Sequence, residues 1–147
     1  MAGVRDHTEL DVWQLGDELR ELVDQLTDRG TFRADRELHD QLRRAVNGVC
    51  PNIAEGFSRY YPREFAPFVR IARGSLSEAI DHLRRARARG LVTADEASRA
   101  ASLARRARGA AARLVSYLES DAAARFRSPS ARGRGRREAT DTRGRRR

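Results

Sequence analysis

Gln41-Leu42-Arg43-Arg44-Ala45 and, after six intervening residues, Asn52-Ile53-Ala54-Glu55-Gly56-Phe57-Ser58-Arg59 form the stretch on which the reading of this chain turns. Leu38, Leu42, Ala45, Val49 and Ile53 recur at 4-3-4-4 spacing, which places them on one face of a helix starting near Asp35 or Arg36. Pro51 removes a backbone donor and crowds the carbonyl of Asn47. A kink is predicted there, not a break, because the apolar stripe continues through Ile53 to Phe57. Gly48 and Gly56 each weaken a helix by about 1 kcal/mol relative to Ala. Glycine at that cost predicts close approach of another backbone.

The same spacing argument extends in both directions. Downstream, Ser58 to Pro62 reads as a turn, and Pro62 or Arg63 opens a helix whose buried face is Phe65, Phe68, Val69, Ala72, Leu76, Ala79, Ile80 and Leu83. Gly74 is a second candidate for close helix approach, and Gly90 ends this helix. Thr93 and Glu96 then form a capping box. Ala97, Ala100, Ala104, Ala107, Ala111, Leu114 and Leu118 follow as an unbroken 3-4 seam to about Ser120. Upstream, Thr8 is a candidate N-cap for a helix over about Glu9–Asp28, with Val12, Leu15, Leu19, Leu22 and Leu26 on one face. Gly30 is expected to stop it in a left-handed conformation. Four amphipathic helices with short loops predict an all-α, up-down-up-down antiparallel four-helix bundle over residues 9–120. A polar lead-in, 1–8, precedes it, and a disordered Arg-rich tail, 121–147, follows.

A second cluster completes the pattern: Glu64-Phe65, then Ala72-Arg73-Gly74-Ser75-Leu76-Ser77-Glu78. With the QLRRA and NIAEG segments in this order, the chain over roughly residues 10–118 resembles the 23S rRNA intervening-sequence protein family, small bacterial four-helix bundles. The resemblance implies a homo-oligomer, in known members a homopentamer. Related accessory variability proteins of diversity-generating retroelements form similar barrels that contact a reverse transcriptase and nucleic acid. Two departures stand out. Phe32-Arg33-Ala34-Asp35-Arg36-Glu37 lacks the proline the family commonly carries after its phenylalanine, and helix four is unusually rich in Ala and Arg.

Charge is unevenly placed. Of the net +9, residues 122–147 supply +8, with ten Arg against Glu138 and Asp141. Residues 6–28 carry eight acids and one Arg, whereas residues 82–118 carry nine Arg and two acids. In the predicted topology these stretches are neighbours, so an acidic first helix lies beside a basic fourth. Every basic residue other than histidine is Arg, which fits phosphate recognition and fits a GC-rich genome equally. The one cysteine, Cys50, leaves no internal disulfide. No apolar run reaches the ~20 residues of a membrane span, and a cytoplasmic location is expected.

Catalysis is not expected. His7, His39 and His82 never fall three residues after a Glu, as a di-iron bundle requires, and no phosphate loop, zinc spacing or nucleophile elbow occurs. No cofactor or metal is implied. The motif residues Gln41, Arg43, Arg44, Asn52, Glu55, Gly56, Arg59, Arg73, Gly74, Ser75 and Glu78 form one candidate site, read either as a pocket or as a polar network that sets helix register and an interface between copies. Arg99, Arg105, Arg106, Arg108 and Arg113 on helix four form a second, read either as a phosphate-tracking ridge or as partners of the acids on helix one. Arg132, Arg134, Arg136 and Arg137 in the tail add a sequence-independent attraction for RNA or DNA. These point to a non-enzymatic oligomeric adaptor associated with nucleic acid. The alternative is a protein-interaction scaffold, such as an accessory subunit for a reverse transcriptase.

Overall fold

Asp6 starts the first ordered turn. Its carboxylate accepts from the Thr8 amide at 2.9 Å and the Thr8 hydroxyl at 2.7 Å, and these bonds hold its carboxyl below the usual range. The cap is therefore Asp6, not Thr8, and it serves a 3-10 turn at His7–Glu9. Helix α1 follows only at Asp11–Thr27, after Leu10 passes through extended backbone. The computed structural model describes residues 3–59 and 61–125. Beyond α1 come α2 (Gly30–Ala34), α3 (Arg36–Asn47), α4 (Val49–Phe57), α5 (Pro62–Ala88), α6 (Ala94–Leu118) and a 3-10 turn at Ala123–Arg125. No strand occurs among the described residues, and the predicted tail lies outside them from residue 126 onward.

Several boundaries follow from local chemistry. Asp35 caps α3 by accepting from the Leu38 amide. Pro62 occupies the first turn of α5, where its missing N–H costs nothing. Arg89 ends that helix, and Gly90, at φ 71, lets the Leu91 amide return to the Ala86 carbonyl at 2.9 Å. The Thr93–Glu96 capping box is present in both directions. Two expectations are corrected. Gly30 opens α2 and does not terminate α1, because Asp28 already ends α1 in right-handed backbone and extended Arg29 turns the chain. The second long helix divides at Gly48, three residues before Pro51. Pro51 therefore sits in the first turn of α4, where a missing amide is tolerated.

The long helices stand in four columns, with α3 and α4 sharing one. Gly16 faces Val49 while Asp24 meets Arg43, so α1 and the α3–α4 column run in opposite directions. Gly56 against Phe65 and Asp35 against Arg89 set α5 antiparallel to that column. Arg108 at Ser77, with an ion pair between Arg70 and Glu119, does the same for α5 and α6. Helix α6 closes the square on α1. This is the four-helix bundle.

Leu19, Leu42, Ile53, Leu76 and the alanines Ala100, Ala104, Ala107 and Ala111 are fully buried, as their stripes predict. Leu15, Leu22, Phe68, Ile80 and Leu114 are only partly covered, and Val23 and Val46 join the core instead. Alanines on both α5 and α6 let these two make the most extensive contact in the bundle. Glycine is required at Gly56, where a Cβ would lie 2.8 Å from Phe68 Cβ and closer still to the Phe65 ring. It is not required at Gly74, which is exposed with nothing within 4 Å, so the expected close approach there is absent within the subunit.

Candidate nucleic-acid interface

The alanine seam determines which way α6 points its arginines. With Ala100, Ala104, Ala107 and Ala111 inward, Arg99, Arg106 and Arg113 fall on the outer face and are exposed. Seven residues are two turns, so successive guanidinium groups originate about 10.5 Å apart along the axis. Arg105 is exposed and Arg108 half-buried, donating to Ser77 Oγ at 3.4 Å. Among the described residues none of these five arginines forms an ion pair with a carboxylate within 4.0 Å.

Asp17 and Asp24 of α1, and Asp28 just after it, are engaged elsewhere, whereas Asp11 and Glu18 form no ion pair among the described residues. Arg20 binds Asp17 at 2.8 Å and Asp24 at 3.1 Å along the same helix, and these carboxylates raise its pKa. Arg43 reaches from α3 to Asp24 at 3.2 Å and Asp28 at 3.7 Å, while Arg33 takes Asp28 at 3.1 Å. The ion pair that ties the α1 end to α6 has the opposite sense to the sequence expectation. Arg29, after α1, holds Glu96 of α6 at 2.6 Å. Burial works against ionisation of Glu96, but Thr93 and Arg29 outweigh it and leave its carboxyl below the usual range.

The motif residues converge only in part. Gln41, Arg44, Gly48, Ser75 and Glu78 line a shallow groove between α3 and α5 together with His82. Gln41 is engaged by Glu37 at 3.3 Å. Arg43 points to the other side of α3, toward α1. Asn52 donates to the Gly48 carbonyl at 2.7 Å and Glu55 pairs with Arg59 at 2.6 Å, so both are satisfied within or beside α4. Arg59 also lies 4.7 Å above the Phe68 ring, a cation–π contact that fixes α4 on α5. Arg73 and Gly74 are exposed on α5. The expected meeting of Asn52 and Glu55 with Arg73, Ser75 and Glu78 is not formed, because local partners capture the α4 side chains first. Arg132, Arg134, Arg136 and Arg137 lie outside the described residues.

Sequence reasoning missed Asp35–Arg89, joined at 2.7 Å across 54 residues. Arg89 holds the Asp35 carboxyl below its ordinary range, with help from the Leu38 amide. Its only sequence signal is that both residues sit at helix ends that the topology brings together. Cys50 donates to the Trp13 carbonyl at 3.4 Å, and burial pushes its thiol up to about 11. Among the described residues no group of three or more His, Cys, Asp or Glu could hold a metal ion, and no helix is long and apolar enough to cross a membrane.

These features define an antiparallel helical bundle with a basic outer face. The chain belongs to the 23S rRNA-intervening sequence protein family, whose match runs over residues 8–111. That span holds every motif residue named above and α6 as far as Ala111, leaving Arg113 just beyond it. No curated protein matches the chain.

Proposed function

We propose that this protein is a non-enzymatic, cytoplasmic homo-oligomer that associates with RNA through the outer face of α6. The observation that carries the proposal is that Arg99, Arg105, Arg106 and Arg113 of α6 are exposed and, among the described residues, pair with no carboxylate. A solvated salt-bridged face would have consumed them; these are available to phosphate. Arginine suits that role because its planar fork binds phosphate oxygens in pairs. Membership in a family named for an intervening sequence of 23S rRNA fits the same context. Self-association, with five subunits by resemblance, would use the α4–α5 side, where Ile71 is 53 % exposed and the motif residues lie at the surface.

That exposed isoleucine also favours a second reading, a scaffold whose partner is another protein such as a reverse transcriptase. Anisotropy with single-stranded RNA at two salt concentrations separates the two, using the full chain and residues 1–125. The cut falls after Ala123, which is fully buried and so belongs with the bundle. Binding that survives truncation and weakens with salt supports the α6 face. Binding that disappears with the residues beyond 125, or is absent from both, supports the scaffold.

A further inference from the structure

Between α1 and α6 runs an open groove of about 660 Å³. Asp11 and Glu18 stand on its α1 wall, Arg106 and Arg113 on its α6 wall, with Leu15 and Gly109 between them. Elsewhere in this bundle arginines close onto carboxylates, as Arg20, Arg29 and Arg43 do. Here two walls of opposite charge face each other, and among the described residues no ion pair spans the gap. Gly109 contributes to that geometry. A Cβ at this position would sit 3.4 Å from Arg113 Nη1, so the guanidinium lies back along the helix over Gly109, which also lines the groove.

We propose that this groove seats one nucleotide of a single RNA strand, its phosphate on Arg106 and Arg113 and its base edge on Glu18. The proposal rests on the RNA-binding reading above and adds a base preference to it. A ligand that satisfies both walls must present an anion to α6 and hydrogen-bond donors to α1. A bare polyanion is repelled by Asp11 and Glu18, and a simple cation by the arginines. A nucleotide whose base carries an exocyclic amine has both groups. Cytosine offers its N4 amine to a carboxylate, the pairing by which Glu and Asp read that base in duplex grooves. Uracil carries a carbonyl oxygen in place of that amine, which the Glu18 carboxylate would repel, and its N3–H donor lies one ring position away. The volume lies within the range of small-ligand sites.

The test uses the full chain with fluorescent oligocytidylate and oligouridylate of equal length at one salt concentration. Any phosphate contact made by the arginines beyond residue 125 would be common to both strands, so the affinity ratio reads base preference alone. Wild type is expected to bind oligocytidylate about tenfold more tightly than oligouridylate. Glu18→Ala, at an exposed helical position, should bring the ratio close to one. Arg106→Gln should weaken both strands while keeping the ratio. Equal binding of the two strands by wild type, or a ratio unmoved by Glu18→Ala, overturns the nucleotide site and leaves RNA binding by α6 standing. Failure to bind either strand overturns both.

Discussion

Helices α1 and α6 pack side by side, one acidic and the other basic, and the fold treats their charges differently. Asp17 and Asp24 on α1, and Asp28 at its C-cap, are held by Arg20, Arg43 and Arg33. On α6, Arg99, Arg106 and Arg113 hold no carboxylate among the described residues. These three carboxylates have partners on α1, α2 or α3, close enough to be reached without crossing to α6, while Asp11 and Glu18, on the side toward α6, form no ion pair among the described residues. The α6 arginines radiate from the side opposite the alanine seam. Charge counted along a sequence therefore does not reveal which charges remain available to a ligand; the direction of each side chain does.

If this division is real, substitutions on the packed side should cost stability, and those on the outer faces should not. The largest effect belongs to Gly56→Val. Its branched side chain would overlap Phe65 and Phe68, at a cost of about 3 kcal/mol by thermal or denaturant melting. An unchanged midpoint would mean that α4 and α5 are not in close contact. Arg43→Ala comes next. It releases Asp24, Asp28 and the Thr27 hydroxyl together, and should lower stability by about 1 kcal/mol without changing RNA affinity. A large loss of affinity instead would place the binding surface on the α1–α3 side.

Gly74→Ala should move the other way. At an exposed mid-helix position with open space around it, alanine is expected to stabilise by about 0.5–1 kcal/mol. Loss of stability or of oligomer mass would show that the proposed self-association face extends to Gly74. The smallest effect is Asp35→Asn, which keeps an N-cap oxygen and loses the charge facing Arg89. Because the folded-state pKa of Asp35 is depressed, its contribution is present above the unfolded value and is lost as pH falls through the folded one. The melting-temperature gap between wild type and Asp35→Asn should therefore be widest near neutral pH and close below about pH 4. A gap unchanged into strong acid would show that the charge contributes nothing.

Much of the fold was legible because it depends on local rules. The apolar stripes, Pro62, Gly90 and the Thr93–Glu96 box each act over one or two helical turns, within reach of sequence spacing. Glycine was the weak point. Gly30, Gly48, Gly56 and Gly74 look alike in sequence, yet they begin a helix, divide one, admit a phenylalanine ring and face solvent, respectively. A missing side chain carries no record of what lies opposite it. The candidate site was less legible than the fold. Which arginine reaches which carboxylate depends on the rotamers of long side chains and on helices distant in sequence, as Arg43–Asp24 and Arg89–Asp35 illustrate. The motif residues suggested one site because they cluster in sequence, but α3 and α5 turn them toward several faces.

The most direct test of the α6 assignment is the salt dependence of single-stranded RNA affinity, measured for wild type and for the combined Arg99→Gln, Arg106→Gln and Arg113→Gln variant. Helicity should be equal in the two proteins, since all three positions are exposed. If each arginine neutralises one phosphate, the slope of log affinity against log salt should become shallower by about 2, together with a clear loss of affinity. An unchanged slope and unchanged affinity would contradict the account and place RNA contact, if any, away from α6.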